Sequence, residues 1–221
     1  QVAELVAQML KEGTRRRTSA QIAEAVEFLG ANLDVGSDEE NVYVMIRALA
    51  DHLGEAMELL ADIARNPRFQ EAELRRLKVR ELDRLRLSAQ EPRYLARRAM
   101  YRELYGSHPY AEVDTNPDAI GRVSRNDLIR WHRAHVVPNN SFLVAVGNVD
   151  PAQVQAAAEE HFRGWSDRAV AETQYADAPV RATRSVIVVD RPNSQQSTIF
   201  VGNLSLARGS PDFVPLSVAN Q

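Results

Sequence analysis

The sequence contains no cysteine. A disulfide framework, a thiolate metal cluster and a cysteine nucleophile are therefore excluded. It also has no apolar run long enough to predict a membrane span, and it shows no signal peptide. The formal net charge of −3 gives no general attraction to nucleic acid, so no nucleic-acid partner is predicted. These absences suit a bacterial periplasm or cell envelope as well as a cytoplasm, and the localisation stays open.

The remaining composition is that of a folded chain, with 44% hydrophobic and 26% charged residues among 221. Its first apolar residues recur at helical spacing, namely Val2, Leu5, Val6, Met9 and Leu10. Gln1 is already in register with them. We therefore expect the chain to begin inside a helix, with the true amino terminus and any targeting signal outside this sequence.

Alternation of apolar and polar residues predicts a β-hairpin, with strands at 32–36 and 41–49. Helical periodicity and cap residues predict helices at about 19–29, 53–63, 71–89, 94–104, 124–135 and 151–162. Apolar runs predict further strands at 141–147, 185–189 and 196–202. Residues 166–183 resemble a linker, and a last helix is expected to begin near Asp212.

Two clusters of charged or titratable residues invite functional hypotheses. His132 and His135 stand three residues apart on one helix and can in principle share a metal, but no third ligand stands at a suitable spacing. A structural role for both is favoured. The arginines of 71–89 alternate with acids and lack an aromatic ladder, which favours a solvated, salt-bridged helix face over a nucleic-acid surface.

Several short motifs follow one another in a recognisable order. They are Gly-Thr with a basic loop at 13–17, Gly-Ser-His-Pro-Tyr at 106–110, Trp-His-Arg at 131–133, Pro-Asn-Asn at 138–140 and Val-Gly-Asn-Val-Asp-Pro at 146–151. This order resembles the pitrilysin/insulinase (M16) family of zinc metallopeptidases, in particular short bacterial members related to the mitochondrial processing peptidase.

The resemblance implies an α+β fold, a mostly antiparallel sheet covered by helices. It further implies that residues 1–180 form an N-terminal unit lacking its opening strands. Residues 181–221 would begin a second, similar unit that this sequence cuts short.

The family's zinc motif is His-x-x-Glu-His, and it precedes a Met-Leu-x-x-Gly-Thr run that matches residues 9–14. In that register the two histidines fall on Glu4 and Gln8, and the catalytic glutamate falls on Ala7. The third ligand, a glutamate of the long helix, falls near Arg84. The resemblance therefore implies a degenerate site with no catalytic residue and no metal, the zinc being expected in an active partner.

Two other interpretations of these positions stay open. Glu4, with Glu81 or Asp83, can form a residual site for a divalent ion. Alternatively, Glu4 and Gln8 are polar positions of an amphipathic helix whose role is packing.

The resemblance implies a non-catalytic subunit that forms a heterodimer with an active M16 zinc peptidase, or a homodimer, and helps to bind a peptide. Residues 33–36, Leu33, Asp34, Val35 and Gly36, match the family's edge strand, along which a peptide can add. An arginine-tyrosine pair of the family would lie beyond Gln221. Two alternatives remain, a structural scaffold or peptide-binding protein without a peptidase partner, and an active zinc metalloendopeptidase with an altered metal site.

Overall fold

The computed structural model describes residues 2–114, 116–180 and 182–220. The chain divides into two compact units, the first made of Gln1–Leu85 with Thr115–Thr173 and the second of Arg86–Asp114 with Gln174–Gln221. This division follows packing and interleaves the two units along the chain. The family-based boundary near residue 180 concerns a different kind of unit, and it stays a prediction.

The helices, in chain order, are α1 Val2–Leu10, α2 Ser19–Phe28, α3 Leu53–Arg65, α4 Glu71–Ser88, α5 Pro92–Tyr105, α6 Pro117–Arg122, α7 Arg125–His135, α8 Pro151–His161 and α9 Phe213–Ala219. The helices predicted from periodicity are confirmed to within about two residues, and only the short α6 was not predicted. None of the helices in the described ranges is long and apolar enough to cross a membrane.

Side-chain caps fix where four of these helices begin, and Asn116 accepts the backbone N–H of Asp118 before α6. Thr18 accepts the backbone N–H of Gln21 before α2, and Ser124 accepts that of Asp127 before α7, both in a capping box. Asp150 caps α8 by accepting the N–H of Ala152. The expected start of the helix at 124–135 is thus confirmed to within one residue.

The predicted β-hairpin is confirmed. β1 (Asn32–Ser37) and β2 (Val42–Arg47) pair antiparallel, with Val35 opposite Val44. Asp38 holds the turn, because its Oδ1 accepts the backbone N–H of Glu40 at 2.8 Å and that of Asn41 at 2.6 Å. These bonds, that from Glu40 first, keep the pKa of Asp38 below its ordinary value.

The core of the first unit forms around α1, which packs on both strands of the hairpin and on α7. Its side chains at Leu5, Val6, Met9 and Leu10 are at most 1% exposed. Burying each of them contributes about 1.5–3 kcal/mol. α3 also packs against β2, and against α8.

The long helix α4 buries one stripe of leucines. Leu74, Leu77 and Leu85 are buried, whereas Leu87 is 66% exposed. Leu87 therefore lies outside the buried stripe. It stands two residues after Leu85, a separation that turns a helical side chain away from the buried face.

The loop between α1 and α2 is fastened to α3 by a buried polar network. Thr14 Oγ1 donates to Asp62 Oδ2 at 2.7 Å and accepts the backbone N–H of Arg17 at 2.9 Å. The Arg17 guanidinium donates to the same Asp62 oxygen at 3.0 Å and to Glu58 at 2.8 Å. Asp62 is 2% exposed, and Asn66 donates to its second oxygen. Detaching the loop would therefore take the Thr14 and Arg17 donors away from a buried carboxylate.

A buried histidine joins α7 to the end of α3. His132 is 8% exposed, its Nε2 donates to the backbone oxygen of Ala64 at 2.7 Å, and its ring meets Phe69 edge-on. Burial is the main cause that lowers the pKa of His132. The hydrogen bond to Ala64 acts in the opposite direction and raises this pKa, whereas the positive charges of Arg133 and Arg15 lower it further.

Three predicted strands are absent from the described structure, where the segments 141–147, 185–189 and 196–202 carry no strand ladder. Their apolar side chains are exposed, for example Phe142 at 82%, Val146 at 94% and Val201 at 93%. These strand predictions were wrong for this chain. A strand requires a hydrogen-bonded neighbour, and within the described ranges the only sheet is the β1–β2 hairpin.

The second unit contains α5, α9 and a cluster of aromatic rings after α5. Tyr105, His108 and Tyr110 contact one another, and Tyr175 lies with its ring centroid 6.0 Å from that of His108. Gly106 closes α5 with φ of 58°, a conformation that favours glycine. The predicted helix near Asp212 is confirmed as α9, which begins at Phe213.

We predict that Asp62→Ala lowers the free energy of unfolding by about 2–4 kcal/mol, because it leaves the Thr14 hydroxyl and the Asn66 amide without their acceptor. Glu58→Ala is the matched control. It removes the other, 39% exposed partner of Arg17 and should cost less than about 1 kcal/mol. Urea denaturation measures both values, and equal losses would contradict a buried role for Asp62.

We also predict that stability falls as the pH drops below about 6.5, the ordinary pKa of histidine. Because the pKa of His132 is lowered in the folded state, the unfolded chain takes up the proton first. The stability that the neutral His132 contributes is complete above that pH, and it is lost as the pH falls toward the pKa of His132 in the folded state. Urea titrations between about pH 8 and about pH 5.5 measure this loss.

His132→Gln should remove much of this decline, since an amide can still donate to Ala64 but does not titrate. His135→Gln, on the same helix, should retain it. A decline that survives unchanged in His132→Gln would show that another group is responsible.

Candidate functional site

Helix α1 carries three of the four positions that the family resemblance assigns to zinc chemistry. Ala7 is fully buried, Gln8 is half-buried, and the side chain of Glu4 is 33% exposed. The apolar residues of the helix turn into the core, and this burial sets the direction in which Glu4 points. The helix is thus positioned by packing, whatever residues occupy its polar positions.

The fourth position, Arg84 on α4, lies opposite Glu4. Its Nη2 is 3.7 Å from Glu4 Oε1, and its Nε donates to Glu81 Oε2 at 2.8 Å. A second pair joins α4 to the turn that follows α1, with Arg80 Nη2 located 3.7 Å from Glu12 Oε1. The structure therefore brings Glu4 and Arg84 together from distant parts of the sequence. Their assignment to the zinc positions rests on the sequence register and stays a prediction.

These residues do not fit a zinc ion. A catalytic zinc site needs three good donors and an open position for water, with a base to take the proton. Arg84 places a positive charge beside the one carboxylate of α1, Gln8 is a poor ligand, and the methyl group of Ala7 has no proton-accepting atom.

The alternative of a residual site at Glu4 with Glu81 or Asp83 gains no support. One guanidinium, that of Arg84, lies against both Glu4 and Glu81, so an added cation would have to displace it. Across residues 2–114, 116–180 and 182–220, no group of three or more histidine, aspartate or glutamate side chains is arranged to hold a metal ion.

His132 and His135 each hold one ring nitrogen in a hydrogen bond to the backbone. The Nε2 of His132 is engaged by Ala64, as described above, and the Nδ1 of His135 bonds to the backbone oxygen of Trp131 at 2.8 Å. The His135 ring also stacks on Trp131 at 4.5 Å. Because a carbonyl oxygen only accepts, each of these nitrogens carries a proton and is closed to a metal. The contacts support the structural role favoured from the sequence.

The predicted edge strand is the first strand of the hairpin. Within the described ranges, β2 pairs with one edge of β1 and no strand pairs with the other. Val35 is buried, and Gly36 lies beneath the ring of Tyr43, so that a Cβ at Gly36 would stand 2.5 Å from the Tyr43 hydroxyl oxygen. The strand offers backbone groups on its open edge, and peptide binding there stays a prediction.

Sequence reasoning missed the network of Thr14, Arg17 and Asp62. Gly13-Thr14 and the basic loop were noticed as a motif, but nothing in the sequence indicated that Asp62 is their partner. The one available signal was an aspartate among the apolar residues of a predicted amphipathic helix. Such a residue is buried only when it is paired.

Comparison with known proteins gives matches over nearly the whole chain. Residues 2–118 match the family described as "Insulinase (Peptidase family M16)", and residues 122–221 match the "Peptidase M16 inactive domain". Subunit 1 of the mitochondrial cytochrome b-c1 complex of Bos taurus is 26% identical over 210 residues, which cover 95% of this chain and 44% of that protein. An uncharacterized zinc protease of Rickettsia bellii is 24% identical over 162 residues, 73% of this chain and 39% of that protein.

A crystal structure of a peptidase M16 inactive domain from Pseudomonas fluorescens superimposes with a TM-score of 0.73 at 25% identity, covering 80% of this chain and 44% of that one. The chain thus spans less than half the length of these relatives. The α+β fold expected from the sequence is confirmed by this similarity. On the match of residues 2–118 alone, more than half of its length, the chain belongs to the M16 (insulinase) peptidase family.

Proposed function

We propose that this chain is a non-catalytic M16 subunit, which pairs with an active zinc-peptidase subunit and helps to hold its peptide substrate. The ion pair between Glu4 and Arg84 carries the proposal. It occupies positions where the family resemblance places two zinc ligands. With a guanidinium there and no base at Ala7, the chain lacks the groups that hold the metal and activate its water.

Two comparisons support a non-catalytic role. The second half of the chain matches a domain described as inactive, and a solved inactive domain shares its fold. Subunit 1 of the cytochrome b-c1 complex, which is similar over 95% of this chain, is by its name one component of a larger assembly. Pairing with another subunit is consistent with both.

Peptide holding is assigned to the open edge of β1. An extended peptide adds to such an edge through backbone hydrogen bonds, which need no metal and no particular side chain on the strand. Leu33 and Val35 pack into the core beneath the strand and keep it rigid. This role therefore survives the loss of the zinc ligands.

A structural scaffold is the second candidate function, and the similarity to the cytochrome b-c1 subunit favours it. It predicts a stable complex whose formation changes no peptidase activity. The two candidates thus differ in one measurable outcome.

We predict that the unmodified protein retains well under about 0.1 zinc ions per chain after incubation with zinc and removal of the unbound metal. The reason is that a bound cation would have to displace the guanidinium of Arg84. The triple variant Glu4→His, Gln8→His, Arg84→Glu supplies three ligands and should retain about one. Elemental analysis measures the content. The double variant Glu4→His, Gln8→His, which keeps Arg84, is the matched control and should stay near the unmodified level.

One result would reverse this proposal. If the unmodified protein retains about one zinc per chain, and if Glu4→Gln abolishes both that zinc and a chelator-sensitive peptide cleavage, the chain is an active peptidase with an altered metal site. The buried Ala7 is left unchanged in all variants, so that the core is not disturbed.

We further predict that co-expression with an M16 subunit bearing His-x-x-Glu-His yields a complex that copurifies. Its peptidase rate should exceed that of the active subunit alone by at least about fivefold, the lower end of typical coupling between sites. Replacing the partner's motif glutamate by glutamine should abolish the activity, which places the chemistry in the partner. A complex without a change in rate favours the scaffold, and no complex contradicts both.

A further inference from the structure

An open groove of about 350 Å³ runs between α2 and α3 in the first unit. Its floor is apolar, made by Ala25 and the buried Leu29 and Leu59. Phe28 stands at its wall with 85% of its surface exposed, although it is a large aromatic residue. An aromatic side chain in this position is a ready anchor for a partner.

The rim of the groove is acidic. It carries the carboxylates of Glu24, Glu55 and Glu58, opposed only by the guanidinium of Arg17 among the lining residues. That guanidinium is already engaged by Glu58 and Asp62, at 2.8 and 3.0 Å. Its bonds, that to Glu58 first, raise the pKa of Arg17. Glu24 and Glu55 are exposed at the rim, and Glu55 Oε1 lies 3.8 Å from Nδ1 of His52.

We propose that this α2–α3 groove docks a basic amphipathic helix of a partner protein. The apolar face of that helix would pack on Phe28, Leu29 and Leu59, and its lysine or arginine side chains would lie against Glu24 and Glu55. Charge complementarity selects a basic partner and sets its orientation. The inference does not depend on the proposed function, since it uses neither the open edge of β1 nor the Glu4–Arg84 pair.

A helix suits this groove better than an extended strand. The groove lies between two helices, which offer side chains, whereas strand addition needs a free sheet edge. A docked helix would present a row of side chains spaced three and four residues apart.

The test uses a fluorescein-labelled amphipathic peptide of about 14 residues, made of leucine and lysine in a helical pattern. A second peptide has glutamate in place of each lysine. Fluorescence anisotropy with the whole chain should show saturable binding of the basic peptide, weakened by added salt, and no binding of the acidic one.

Phe28→Ala should weaken the binding of the basic peptide by at least about fivefold. The double variant Glu24→Gln, Glu55→Gln should also weaken this binding, and should make the remaining affinity depend less on salt. The matched controls are Phe142→Ala, equally exposed but outside the groove, and Glu159→Gln with Glu160→Gln on the surface of α8. Both should bind as the unmodified chain does. All the changed side chains are exposed, so each variant should keep its helical circular dichroism.

Three results would overturn the inference. The two peptides could bind alike, or Phe142→Ala could weaken binding as much as Phe28→Ala, which would show unspecific hydrophobic attachment. Sedimentation could instead reveal self-association that Phe28→Ala abolishes, which would make the groove an interface between copies of this chain.

Discussion

The burial of α1 against the hairpin and α7 is the constraint from which the first unit is built. Leu5, Val6, Met9 and Leu10 are almost wholly removed from solvent, and together they contribute several kcal/mol. Because these apolar residues occupy one face of the helix, its polar residues lie on the other face. Glu4 lies on that face, where its carboxylate meets Arg84 of α4.

Because apolar burial positions α1, the helix keeps its place although its zinc motif is degenerate. A partly exposed ion pair such as Glu4–Arg84, with its charges 3.7 Å apart, contributes about 0–1 kcal/mol, far less than the apolar side of α1. The fold therefore does not require the residues at these positions to be metal ligands. It tolerates a carboxylate opposite a guanidinium at these positions.

The first unit also presents two surfaces of different chemistry. The open edge of β1 offers backbone hydrogen-bonding groups, and the α2–α3 groove offers an apolar floor beneath an acidic rim. The groove depends on the loop that joins α1 to α2, because the network of Thr14, Arg17 and Asp62 fixes where α2 starts relative to α3. Arg17 belongs to the network and to the groove, so the buried carboxylate of Asp62 helps to hold the one cation of the acidic rim in place.

The elements whose signals lie close together in sequence were predictable. The hairpin follows from alternation, and the capping box at Ser124 and Asp127 spans four neighbouring residues. The apolar stripe of α1 likewise indicated its buried face. Through the Met9-Leu10 and Gly13-Thr14 flank, the sequence also identified which positions of α1 to compare with a zinc site.

By itself, then, the sequence determined the helices, the hairpin and the residue types at Glu4, Ala7, Gln8 and Arg84. Only the tertiary structure decided that Arg84 lies against Glu4, and that Asp62 is the buried partner of Thr14. It also decided that the apolar runs at 141–147, 185–189 and 196–202 carry no ladder, against their local preference. The reason is the same in each case: an ion pair or a β-ladder is made by two distant segments, and neither segment alone specifies its partner.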